Sequence, residues 1–247
     1  SSGEPTYRLP DIAYHHDKLS RRKFDLVVDI FGADHIATIP DVMAAVETLG
    51  EDKSKVRVVI HQFVTLMKDG EQVKMSKRTG RSYTLDDLME EFGADVTRFF
   101  FIMRGVSTHL EFDLNLAEEQ SEKNPVFYLQ YAHARIASIM RTAEERGVSV
   151  ANHADTALLL HPSEIDLIKL ILRFPETLSR AAETLEPQGI AEFLRDVAAA
   201  FHKFYHDCRI LGEAEELMQA RFALLKAAKT VLKNGLTVLG ITAPEKM

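Results

Sequence analysis

Phe24-Asp25-Leu26-Val27-Val28-Asp29-Ile30-Phe31-Gly32 decides how the first half of the chain folds. It is an apolar, β-branched run of strand length that ends at a glycine, and it reads as a strand. Working outward, Pro40 to Leu49 reads as a helix, with Pro40 in its first turn and Gly50 just past its end. Val56-Arg57-Val58-Val59-Ile60 reads as a second strand. Strand, helix and strand make one β-α-β unit, which implies a parallel pair with a right-handed crossover. One such unit is less than a doubly wound sheet. Either the remaining strands lie in another segment or the fold is unusual.

Beyond it, residues 63–67 and 71–74 flank Lys68-Asp69-Gly70, and Asp-Gly between apolar runs signals a hairpin. Thr84 and Asp87 form a capping-box-like pair that opens a helix through Phe92. Gly93 breaks it, and a helix resumes from Asp95 to Met103.

The second half changes character. Asn124-Pro125 is a cap followed by proline in a first turn, and a long helix is expected from there to about Glu145. Further helical runs are expected near 163–173, 175–185, 188–209 and 213–234, separated by Gly147, Pro162, Pro187, Gly189 and Gly212. Leu158, Leu159, Leu160, Leu167, Leu170, Ile171 and Leu172 are expected to supply part of the core. The architecture is therefore a partial α/β, Rossmann-like domain over residues 1–120, followed by an all-α bundle over 121–247.

Composition narrows the function classes. The 247 residues are 46% hydrophobic and 27% charged, which fits ordered domains and excludes a collagen-like or disordered chain. The formal charge is -7, divided as 16 basic and 22 acidic residues over 1–123 and 14 and 15 over 124–247. Neither half is a broad basic surface for long nucleic acid, yet a local patch suffices for a folded RNA. A single cysteine, Cys208, permits no internal disulfide and reads as a small hydrophobe in a helix. No run of 18 apolar residues occurs, so no membrane span is expected. The chain opens on Ser1 with no basic segment before an apolar run, and a trimmed start is expected.

Lys74-Met75-Ser76-Lys77-Arg78-Thr79-Gly80-Arg81 carries the most chemistry. Clustered cations and a hydroxyl between a hairpin strand and a helix can wrap a polyphosphate and stabilise charge on a leaving pyrophosphate. A solvated charged loop is the plain alternative. Gly32-Ala33-Asp34-His35 follows the first strand, and His61-Gln62 follows the second, at the edge where open α/β sheets bind ligands. His35 and His61 lack a convincing third ligand for a metal. Tyr7 and Asp11 lie four apart and could meet a cationic substrate, or could be a buried aromatic and a helix cap. In the helical half, Tyr128, Tyr131 and Arg135 give an aromatic and cationic face suited to unpaired bases, or to ordinary helix packing. Arg173, Arg180, Lys203, Arg209, Arg221, Lys226, Lys229 and Lys233 are candidates for phosphate contacts or surface charges.

These residues resemble a family. Lys74-Met75-Ser76-Lys77 matches the second signature of class I aminoacyl-tRNA synthetases. Pro5-Thr6-Tyr7 with Asp11-Ile12-Ala13-Tyr14-His15, and Gly32-Ala33-Asp34-His35, resemble the arginyl-tRNA synthetases in particular. Asn124-Pro125-Val126-Phe127-Tyr128 and Gln130-Tyr131-Ala132-His133-Ala134-Arg135 resemble the start of their DALR-type anticodon-binding domain, and 234–247 resembles its end. The resemblance covers essentially the whole chain. Where some members continue with His-Gly-Tyr and Pro-Arg, this chain reads Ile36-Ala37-Thr38-Ile39-Pro40-Asp41.

The resemblance implies ligation of L-arginine to tRNA(Arg) through arginyl-adenylate, with ATP as substrate and Mg2+ accompanying it, in a cytoplasmic, monomeric parent enzyme. Tyr7 and Asp11 would line the arginine pocket, and Asp34 and His35 would face the arginine or adenosine part of the site. His61, Gln62, Phe63 and Met75 would bind ATP, and Lys74, Ser76 and Lys77 would act on its phosphates. Tyr128, Tyr131, Arg135 and Met247 would contact tRNA, and no protein-bound structural metal is expected. The family's first signature and the first half of its nucleotide fold are absent from the sequence, so the chain is expected to be a C-terminal portion, inactive in adenylate formation alone. The alternative is a non-catalytic RNA-binding or assembly protein with a relic nucleotide fold.

Overall fold

In the computed structural model, which describes residues 6, 8–73, 83–151 and 153–247, the first apolar run forms β1 (Val27–Gly32). It begins later than its composition suggests. The Phe24 amide donates to the Lys18 carbonyl at 3.1 Å and Lys23 takes a positive φ of 56°, so this stretch closes a turn instead of starting the strand. Helix α1 (Arg8–His16) precedes it and α2 (Ile39–Thr48) follows, with Gly50 at φ 83° just past its end. Strand β2 (Val56–His61) pairs in parallel with β1 from Val27↔Val56 to Gly32↔His61. Leu19, Val27, Val42 and Val46 form the small core of this layer. These elements belong to one compact unit, residues 1–65 with 106–110.

The second unit comprises residues 66–105 and 111–247. Strands β3 (Val64–Lys68) and β4 (Glu71–Gln72) form the expected hairpin, paired Lys68↔Glu71. Asp69 and Gly70 both have positive φ, 54° and 78°, as a primed two-residue turn requires. A strand not foreseen from the sequence, β5 (Leu110–Asp113), completes a sheet of order β4-β3-β5. At four residues it is too short to show a periodicity. Helices α3 (Leu85–Phe92) and α4 (Ala94–Ile102) follow the hairpin, and the capping box of Thr84 and Asp87 is formed in full.

After α5 (Leu114–Glu118) comes the long α6 (Pro125–Glu145), whose cap Asn124 accepts from the Val126 amide at 3.2 Å. Then follow α7 (Pro162–Ile171), α8 (Phe174–Thr184), α9 (Gln188–Asp207) and α10 (Glu215–Val238). One continuous apolar core runs through them, including Leu129, Ile136, Leu194, Phe201, Phe204, Phe222 and Leu232, all fully buried. Helix α10 runs past the expected end at 234, through Gly235. A Cβ there would stand 2.5 Å from a Leu194 methyl, so the glycine is what lets α9 approach.

Three expectations change. Leu160 and Leu172 are 75% and 73% exposed, because Leu160 precedes the cap of α7 and Leu172 ends that helix. Arg221 is not a surface cation. It is buried, donates to Glu164 at 2.7 Å and also bonds the Arg209 carbonyl, bracing α10 against α7.

Candidate functional site

The register Gly32↔His61 sets the carboxyl ends of β1 and β2 side by side. Asp34 and His35 therefore share an edge with His61, Gln62 and Phe63. A Cβ at Gly32 would lie 2.5 Å from Asp34 Oδ1, so a larger residue there would displace that exposed carboxylate. Asp34 is exposed, with its carboxylate 3.8 Å from His35 Nε2, and the His35 ring leans on Phe31 at 5.9 Å. His61 Nδ1 lies 2.6 Å from the Gln62 carbonyl, the Gln62 amide donates to Val106, and the Phe63 ring is largely exposed. Arg8 donates to Asp41 at 2.5 Å, tying the start of α1 to the first turn of α2. Asp11 lies one turn along α1, where its carbonyl meets His15.

Under this edge lies a cluster that sequence reasoning missed. His15, 3% exposed, faces the Asp11 carbonyl with Nδ1 at 2.7 Å and the Asp29 carboxylate with Nε2 at 2.5 Å. Both partners are acceptors, so both ring nitrogens carry protons and His15 is a cation. Lys18 donates to the other Asp29 oxygen at 2.8 Å. The Asp29 hydrogen bond outweighs burial and holds His15 above its ordinary pKa. Burial pushes Asp29 up, but the His15 and Lys18 bonds more than offset it and hold the carboxyl low. The only sequence signal was Asp29 itself, a carboxylate inside an apolar strand, which needs a partner.

Tyr7, Lys74, Met75, Ser76 and Lys77 lie outside the described residues.

The helical unit carries a groove of about 930 Å³. Tyr131, Arg135, Ser138 and Arg141 of α6 line it, with Arg146 just past the helix end. Tyr205, residues 208–211, Lys246 and Met247 line it as well. Its lining holds four arginines and a lysine and no carboxylate side chain. Arg135 donates to the Tyr131 hydroxyl at 2.7 Å and lies 4.8 Å from the Tyr205 ring centroid, so two aromatic rings and a guanidinium form one platform. His202 stacks behind Tyr131 at 5.9 Å. Burial, reinforced by the Arg135 charge, pushes that imidazole below its ordinary pKa and keeps it neutral.

Of the four residues expected at tRNA, Tyr131, Arg135 and Met247 come together here. Tyr128 lines a separate groove of about 500 Å³ with Lys123, Arg195 and the carboxylates of Glu122, Glu192 and Asp196. Arg209 of the cation series lines the main groove, whereas Lys203 pairs with Asp207 at 2.8 Å. No helix among the described residues is long and apolar enough to cross a membrane.

The DALR anticodon binding domain family matches residues 129–247, the stretch that holds the main groove. The arginine--tRNA ligase of Salinibacter ruber (strain DSM 13855 / M31) is 61% identical over 246 residues, covering 100% of this chain and 44% of the relative. That of Chlorobium limicola (strain DSM 245 / NBRC 103803 / 6330) is 54% identical over 251 residues, covering 100% and 45%. The chain thus spans less than half the length of these relatives. A solved arginyl tRNA synthetase chain from Campylobacter jejuni superposes with a TM-score of 0.89 at 34% identity, covering 99% of this chain and 53% of that one. The arginyl-tRNA synthetase of Thermus thermophilus shares the fold, with a TM-score of 0.83 at 22% identity over 100% of this chain and 50% of its own. Along its whole length this chain is similar to a stretch of the arginyl-tRNA synthetases, and its residues 129–247 match the DALR anticodon binding domain.

Proposed function

We propose that this chain works as part of an arginine--tRNA ligase, supplying one wall of the activation site and the surface that reads the anticodon. Residues 1–120 are the catalytic portion and 121–247 the anticodon-binding domain. The reaction joins arginine to ATP as arginyl-adenylate with release of pyrophosphate, and then transfers the arginyl group to tRNA(Arg). Its setting is the cytoplasm, and the whole enzyme is a monomer.

Within this reading, Tyr7 and Asp11 receive the guanidinium of arginine, and Asp34 and His35 line the same pocket. His61, Gln62, Phe63 and Met75 meet the adenosine. Lys74, Ser76 and Lys77 hold the phosphates, and the two ammonium groups offset charge growing on the pyrophosphate as its bond to the adenylate breaks. Mg2+ arrives with ATP. Among the described residues no group of three or more His, Cys, Asp or Glu side chains is placed to hold an ion, so no protein ligand is assigned to it.

The observation that carries the RNA half is the groove with its Tyr131-Arg135-Tyr205 platform and five cations. Aromatic faces take unstacked bases and the cations take phosphates. The test is binding of this chain to an RNA hairpin bearing an arginine anticodon. Arg135→Met and Tyr131→Leu should each weaken binding by about tenfold. A hairpin with an altered anticodon should bind more weakly, and log K should fall with log salt. Equal affinity for both hairpins would remove the anticodon role and leave a general RNA-binding or assembly surface.

A further inference from the structure

The residues after α10 do not hang free of the helices. Ile241 is buried, and from there four side chains of α6 and α10 hold the backbone or side chains of 242–245. Gln130 donates to the Thr242 carbonyl at 3.1 Å and to Asp95 at 2.8 Å, and the Thr242 hydroxyl closes the same knot on Asp95. His133 Nδ1 donates to the Pro244 carbonyl at 2.8 Å. Arg141 donates to the Glu245 carbonyl at 2.8 Å, and Lys229 to the Glu245 carboxylate at 2.6 Å. Along α6 the order 130, 133, 141 meets the order 242, 244, 245, so the segment runs beside the helix in the same direction. It ends with Lys246 and Met247, which line the groove.

We infer that Gln130, His133, Arg141 and Lys229 are positioning residues for RNA binding: by strapping residues 242–245 along α6 they fix where Lys246 and Met247 stand in the groove. This rests on the reading of the groove as an RNA site. His133 makes the case sharpest. It is fully buried and does not line the groove, and among the described residues its Nε2 has no hydrogen-bond partner, yet its Nδ1 is spent on the strap. A buried imidazole with one unpartnered nitrogen is a costly way to fill a core position. What it secures is the path of residues 242–247. If unanchored, this segment would have to be ordered on binding, and that entropy would be subtracted from the affinity.

The test uses this chain and the anticodon hairpin, with Kd and Tm read together. His133→Phe keeps a ring and removes the donor. It should raise Kd about three- to tenfold, as should removal of Lys246 and Met247. Combined, the two changes should weaken binding no more than the deletion alone, because His133 acts through those residues. If His133→Phe folds poorly, the surface variant Lys229→Met is read in the same cycle with the same expectation. Wild-type affinity in both variants overturns the inference. So does additive weakening, which would mean that His133 supports the fold and not the wall. If the unaltered chain fails to bind the hairpin, the RNA reading falls and takes this inference with it; if it binds and the variants bind equally, only the strap is lost.

Discussion

The two compact units bury opposite things. The helical unit hides a continuous apolar core, while the α/β unit hides the small cluster of Leu19, Val27, Val42 and Val46 and an ionic cluster of His15, Asp29 and Lys18. Its parallel pair also presents Val28 and Ile30 to solvent, Ile30 at 69%, although parallel strands are ordinarily covered on both faces. Apolar burial therefore dominates the stability of one unit, and fixed charges weigh heavily in the other. The largest test of that difference is a pair of truncations. Phe201→Ala should cost about 3–5 kcal/mol in the protection of α9 and α10 amides, and Val46→Ala only about 1–3 kcal/mol in β1 and α2, by segment-resolved hydrogen exchange. Equal losses would mean that the small cluster is packed as tightly as the large one.

The same contrast decides what the sequence could disclose. Helices of 20 or more residues repeat their apolar stripe often enough to be read, and α6 and α9 fell where the pattern put them. The β-α-β unit was legible because its breaks, Pro40 and Gly50, are chemical. Strand β5 was not, since Leu110 to Asp113 gives two alternations and no turn signal. At the site, Asp34, His35 and His61 could be placed on one sheet edge from topology alone. The His15-Asp29 bond and the Gln130-Thr242 and His133-Pro244 anchors could not. Each joins residues far apart in sequence whose partner is a carbonyl or a carboxylate with no local signature.

Titration should separate the units next, in opposite directions. His15 has a folded pKa above its ordinary 6.5, so its stabilisation is complete below that value and is lost as pH rises through the raised folded value. His133 is held low chiefly by burial, as is His202, so their contribution is complete above 6.5 and is lost as pH falls through the depressed folded values. Raising pH from about 6 to about 9 should therefore loosen α1 against β1, and lowering it from about 7 to about 5 should loosen α6 and α9. Hydrogen exchange corrected for intrinsic rates reads both. Asp29→Asn should abolish the alkaline loss in α1, because it removes the carboxylate that favours the cation. A shift of the same sign in both units would refute the assignment of His15 as a cation and of His133 as neutral.

The smallest expected effects come from one substitution made in both units. Gly235→Ala should cost about 0–2 kcal/mol, the balance of overpacking against Leu194 and a gain in helix propensity. Gly50→Ala should cost about 1 kcal/mol for another reason: φ is 83° there, and an added Cβ meets nothing within 4 Å. The causes can be told apart. Trimming Leu194→Val should recover part of the loss in Gly235→Ala, appearing as a coupling energy in a double-mutant cycle. At position 50 no neighbour is available to trim, and recovery should come from backbone tolerance alone, so Gly50→Asn should be milder than Gly50→Ala. If Gly50→Asn and Gly50→Ala cost the same, the left-handed backbone is not what selects glycine after α2. If Leu194→Val brings no recovery, the close approach of α9 and α10 is not what selects it at 235.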